Sequence, residues 1–181
     1  TVGLAVLNDG IPEFEVTDDA RRTIALTLLR CVGPSIGDDE TEDESQLIGS
    51  HEYRYALCPH AGNYEEADLP HEALDFRVPL KMCLSRRHEG RLPTSMSMLE
   101  ISPKSLIVTA VKRAEDRKSV VVRLYNSGTK IAAGRLKWHK PLKGCYALDL
   151  LEKRKEKIAT RGKAVGFRVK PKQILTLDVV S

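Results

Sequence analysis

The chain has 181 residues, 41% of them apolar, enough to bury one good core or two small ones. No run approaches the roughly 18 apolar residues that a membrane span needs, so no membrane partner is expected. The net charge of +4 divides sharply: residues 1–80 hold 5 arginines, no lysine and 17 acidic groups, whereas residues 81–181 hold 24 basic and 8 acidic groups. So strong a break predicts two structural units, an acidic one over residues 1–88 and a basic one over residues 89–181. Nucleic acid is not the expected partner of the basic half. Its cations alternate along apparent strands, and aromatics make up 5% of the chain, too few for a base-stacking platform.

In chain order, Val2–Leu7 is a short apolar run that reads as a buried strand, ended by the turn signal Asn8-Asp9-Gly10. Glu13–Val16 reads as a short strand across that turn. Thr23–Arg30 alternates Ile24, Leu26 and Leu28 with Ala25, Thr27 and Leu29, and closes on Arg30. An arginine at the end of an apolar strand implies a carboxylate or carbonyl partner, or a place facing a cleft. Gly33–Ser45 is an acidic loop without periodicity. Its run Asp38–Glu44 lacks the register of a calcium loop.

His51–Cys58 places His51, Tyr53, Tyr55 and Leu57 on one face, and Pro59 is expected to end that strand. Asn63–Phe76 suggests one or two helical turns, and Leu80–Leu84 reads as a strand leading into a linker. Seven short β-rich segments follow, from Ser97–Ile101 to Gln173–Val180. Turn residues punctuate them, as in an antiparallel sandwich of immunoglobulin-like size. Over Leu150–Ala159, helix competes with a solvated hairpin between strands, because Glu152 and Glu156 precede basic residues at helical spacing. The hairpin is the reading taken.

Several phrases share a source. Leu28, Leu29 and Arg30, then Gly49, His51, Tyr53, Tyr55, Ala56, Leu57, Pro59 and His60, resemble a stretch of the C-terminal β-rich half of glycoside hydrolase family 38, the α-mannosidases. Val108–Asn126 (VTAVKRAEDRKSVVVRLYN), Leu148–Glu152 (LDLLE) and Val169–Leu177 (VKPKQILTL) are similar to later phrases of that half, in the same order. The opening Asn8–Glu15 looks most like the bacterial branch that includes mannosylglycerate hydrolases.

The resemblance implies an all-β fold: closing strands of a larger antiparallel sandwich, then a small immunoglobulin-like sandwich. It implies a parent that is a retaining glycosidase with an aspartate nucleophile and a catalytic zinc, both held in an upstream domain that nothing here matches. The carboxylate pair that retention requires is therefore not assigned in this chain. No catalytic residue and no metal ligand are assigned, and the polypeptide alone is expected to be inactive.

The implied partners are the upstream catalytic domain, a mannoside substrate of the full-length enzyme, and further copies in a homo-oligomer. Candidates for substrate contact are Asn8, Asp9, Gly10 and Arg30. His51, Tyr55 and His60 belong to the family phrase and read as structural, His51 and His60 through bonds to backbone carbonyls in a β core. His139 reads as a surface residue, and Glu115-Asp116 as a solvated turn.

A different class of function also fits the strand pattern: a free-standing carbohydrate-binding sandwich. It would need exposed aromatics, and Trp138 with five tyrosines makes a thin platform. The four cysteines show no C-x-x-C spacing and are expected to be reduced, three of them buried, in a cytoplasmic setting. No signal peptide is legible, and a start at Thr1 without methionine suggests a processed piece.

Overall fold

The computed structural model describes residues 2–31 and 47–181. The acidic run Asp38–Glu44 lies outside the described residues. Among the described residues the chain is all-β with antiparallel pairing and one helix, and it divides into a unit Thr1–Lys81 and a unit Met82–Ser181.

Among its described residues, the first unit holds two small ribbons. Strand β1 (Val2–Asn8) pairs antiparallel with β4 (Tyr55–Ala61), and β2 (Phe14–Val16) pairs with β3 (Ile24–Leu26). Helix α1 (Leu69–Arg77) starts with Pro70 in its first turn, where a missing N–H costs nothing, and packs near β1.

Three expectations change here. The Thr23–Arg30 strand shrinks to three residues because β2 offers only three to pair with. Pro59 does not end β4; it sits opposite Leu4, tolerated because among the described residues β4 pairs on one side only. Leu80–Leu84 forms no strand, having no sheet edge to join, and Leu80, Met82 and Leu84 are exposed. Among the described residues of this unit, Ile11 is the one apolar side chain that is fully buried; Val2 and Leu57 are 86% and 63% exposed.

The second unit is a two-sheet sandwich. One sheet has the order β10 (Arg154–Ile158), β9 (Gly144–Leu148), β13 (Ile174–Val180), β7 (Val120–Asn126), β6 (Leu106–Arg113). The other has the order β11 (Thr160–Arg161), β12 (Ala164–Val169), β8 (Ala132–Trp138), β5 (Leu99–Ser102). Residues 150–159 thus form a turn and a strand, not a helix. With β10 and β11, the sandwich has two strands beyond the seven expected.

Strict alternation in β8 sends Ala132, Gly134, Leu136 and Trp138 inward and Ala133, Arg135 and Lys137 outward. The inward faces of the two sheets meet in a core of Val122, Leu136, Trp138, Val165, Leu177 and Val179. Gly134 is required there: the Phe167 ring lies across it, 2.3 Å from where a Cβ would stand. Among the cysteines only Cys145 is buried, and burial followed by the nearby Asp178 charge pushes its thiol up to about 12. Cys58 is half-buried. Cys31 and Cys83 are exposed, because the strands expected to bury them stop short or do not form.

Candidate functional site

In the first unit, an open cleft collects part of the family phrase. It is lined by Glu13, Leu28, Leu29, Arg30, His51 and Tyr53. Arg30 leaves the end of the short β3 ribbon and reaches the Glu13 carboxylate at 3.3 Å; both are solvent-accessible, so the pair contributes little to stability. His51 is exposed, not set in a core, and its Nε2 lies 2.7 Å from the Leu47 carbonyl oxygen. Its ring is tilted 32° to Tyr53 at 6.4 Å. The cleft therefore presents one guanidinium, one carboxylate and one imidazole, with a tyrosine beside them.

The Asn8-Asp9-Gly10 turn is not part of that lining. Asn8 Oδ1 accepts the Ile11 N–H at 3.1 Å, and Gly10 adopts φ +82°, which explains the glycine. Asp9 accepts from Arg54 at 3.2 Å and faces Arg77 at 3.9 Å. Tyr55 is 55% exposed on β4. His60 packs against Gly3, its ring 2.4 Å from where a Cβ would stand there, and its buried Nδ1 has no hydrogen-bond partner. Of the sequence candidates, the structure brings Arg30 and His51 together and leaves Asn8, Asp9, Gly10, Tyr55 and His60 elsewhere. His139 is half-buried, not on the surface, its ring 4.9 Å from that of Trp138.

Glu13 went unrecognised in the sequence as the partner of Arg30; its only signal was a carboxylate just before a short strand. Among the described residues, no group of three or more His, Cys, Asp or Glu side chains is placed to hold a metal ion.

The second unit's family phrases meet in space, and what they build is a charged clasp. Glu152, at the end of the LDLLE phrase, takes the Lys112 ammonium at 2.7 Å and the Glu115 backbone N–H at 3.3 Å. Its carbonyl accepts from Arg117 at 2.6 Å. These contacts hold it at φ +62°, a conformation that costs a non-glycine residue about 1–2 kcal/mol. Arg117 and Arg154 both donate to Asp178 Oδ2, at 3.1 and 2.7 Å, and Arg154 also covers the Tyr146 ring at 4.0 Å. Glu115-Asp116 is a solvated turn as expected, its side chains 77% and 72% exposed, and it meets the clasp through the Glu115 N–H and the Asp116–Arg117 pair. Asn126, fully buried, donates to the Lys130 and Val169 carbonyls and accepts from Gly128, tying the β7–β8 loop to the end of β12.

The clasp predicts a pH dependence. The Lys112 hydrogen bond, more than any other cause, holds the Glu152 carboxyl below its usual value. A depressed folded pKa means that the contribution is complete above the ordinary Glu value, about 4.5, and is lost as pH falls through the folded value. The stability gap between the native chain and Glu152→Gln should therefore be constant from pH 6 to 8 and shrink below about pH 4. Urea titrations across that range check it, and a gap that widens in acid would refute the assignment.

The comparisons with known proteins agree with this geometry. Residues 105–177 match the family described as "Glycosyl hydrolases family 38 C-terminal beta sandwich domain". A putative mannosylglycerate hydrolase of Halalkalibacterium halodurans is 31% identical over 97% of this chain and 19% of its own length. Human alpha-mannosidase 2C1 is 29% identical over 98% of this chain and 16% of its own length. A crystal structure of a glycosyl hydrolase family 38 protein from Enterococcus faecalis superposes with a TM-score of 0.77 and 28% identity, covering 99% of this chain and 21% of that one. The chain belongs to glycoside hydrolase family 38, as part of its C-terminal β region. It spans about a fifth or less of the length of these relatives.

Proposed function

We propose that this polypeptide is the structural C-terminal part of a retaining α-mannosidase whose nucleophile and zinc lie outside these 181 residues. Its work is to complete a larger sandwich, to shape one wall of the substrate cleft and to contribute subunit contacts, in a cytoplasmic setting where its thiols remain reduced. The observation that carries this is the open first unit. Its strands leave Val2, Leu4, Phe14, Val16 and Leu57 in solvent, a pattern that makes physical sense if further strands cover them.

The described residues do not fit a catalytic zinc, and no step is assigned through one. Nor is the carbohydrate-binding alternative favoured, since Trp138 is buried in the sandwich core rather than displayed.

The 181-residue chain, assayed alone with 4-nitrophenyl α-mannoside, should release no 4-nitrophenol above background, with or without added zinc. Assembly with the upstream domain should restore turnover. Release by the isolated chain would overturn the proposal.

A further inference from the structure

The outer face of the four-stranded sheet is cationic, with one of its four cations paired. Arg135 and Lys137 of β8, Arg161 of β11 and Arg168 of β12 all stand exposed on it. Glu100 of β5 takes Lys137 at 3.0 Å. Glu100 also lines a neighbouring cleft with Arg135, but among the described residues Arg135, Arg161 and Arg168 form no ion pair within 4.0 Å.

The positions between two of these arginines are small. Gly166 stands opposite Arg135, Ala164 stands opposite Arg161, and Ala159 joins them in the lining of a cleft that both arginines border. The two arginines lie on either side of β12, roughly 10 Å apart across the strands and one side-chain repeat, about 7 Å, along them. Long side chains starting from such positions reach a common group above the floor.

We infer that this cleft binds a small phosphate-bearing ligand, with Arg135 and Arg161 clamping the phosphate oxygens. Three features favour that chemistry. A planar guanidinium donates in pairs to an oxyanion, and a phosphate has enough oxygens to give each of the two a pair of acceptors. The phosphate carries a charge that balances two cations that have no ion-pair partner of their own. No aromatic ring is displayed on this face, since Phe167 turns inward over Gly134, so a stacked nucleobase has no platform. The inference does not depend on the mannosidase reading.

The test uses the full chain, titrated with inorganic phosphate and with a hexose 6-phosphate, and read by amide chemical shifts. Saturable shifts centred on Gly166 and Arg135 are expected. Arg135→Gln and Arg161→Gln should each weaken binding about tenfold or more, whereas Lys157→Gln, an equal charge change on the other sheet, should change it by less than about twofold.

Gly166→Val is the decisive variant. It keeps every charge, its Cβ meets nothing closer than 3.9 Å, and it fills the floor. It should abolish the shifts while leaving the thermal transition in place. Equal affinity for both probes would mean that phosphate alone is recognised, and tighter binding of the hexose phosphate would add a sugar contact; either supports the site. No saturable shift up to about 50 mM, equal losses in Arg135→Gln and Lys157→Gln, or undiminished binding by a folded Gly166→Val would overturn it.

Discussion

Leu136→Ala should lower the unfolding free energy of the second unit by about 3–5 kcal/mol. Leu136 is fully buried at the centre of the larger core, opposite Ile101 on β5 and Val165 on β12, and within the cluster of Val122, Trp138 and Leu177. It comes from the middle of a strand with neighbours on both sides, so the backbone cannot collapse into the space left behind. The loss therefore combines the transfer of an apolar side chain with an unfilled cavity. For a domain near 100 residues this is a large share of the whole, and the midpoint of thermal unfolding should fall by more than about 10 °C.

Trp138, the one tryptophan of the chain, lies in the same core, so its fluorescence reports this unit without a contribution from the first. Leu136→Met keeps the volume and should cost less than about 1.5 kcal/mol. A loss below that for the alanine variant would mean that the two sheets do not close over Leu136.

The sandwich was legible because its strands carry their own instructions. The alternation in Ala132–Trp138 names the inward residues before any partner is known, and Leu177 and Val179 do the same in β13. Strand β10 was legible only as half of a hairpin. Its residues RKEKI have no apolar face, and it exists because β9 pairs with it along Cys145–Leu148.

The first unit was harder for the same reason. Thr23–Arg30 and Leu80–Leu84 have strand-forming side chains, but a strand needs an edge to bond to, and the described residues supply three paired positions for the first and none for the second. Of the cleft, Arg30 was readable as a cation at the end of an apolar run. Its partner Glu13, 17 residues upstream, was not, since nothing local ties the two. The family phrases KRAED and LDLLE were recognised separately. That they meet through Lys112 and Glu152 is a consequence of the sandwich topology, which brings the β6–β7 turn beside the β9–β10 turn.

Asp178→Asn should cost about 2–4 kcal/mol, although it changes one atom and no volume. Asp178 is fully buried on the central strand β13, and both Arg117 and Arg154 converge on its Oδ2. Asparagine can offer its carbonyl oxygen to the two guanidinium groups only by placing its NH2 where Oδ1 now stands, a buried position at which Oδ1 itself has no hydrogen-bond partner. Turned the other way, it sets a donor against two cations. Either arrangement leaves a desolvated polar group unsatisfied. The cost stays below that of a fully buried charge because Arg117 and Arg154 retain side-chain exposures of 22% and 39% and so keep some water.

The effect should be insensitive to salt, unlike that of the exposed Lys137–Glu100 pair, since ions do not reach Asp178. Combining Arg117→Met, Arg154→Met and Asp178→Leu, which removes all three charges together, should recover most of the loss. Urea unfolding followed by Trp138 fluorescence measures each variant. A neutral Asp178→Asn would show that the two arginines hold the turns by packing on Tyr146 and the Glu152 carbonyl alone, with the carboxylate a bystander.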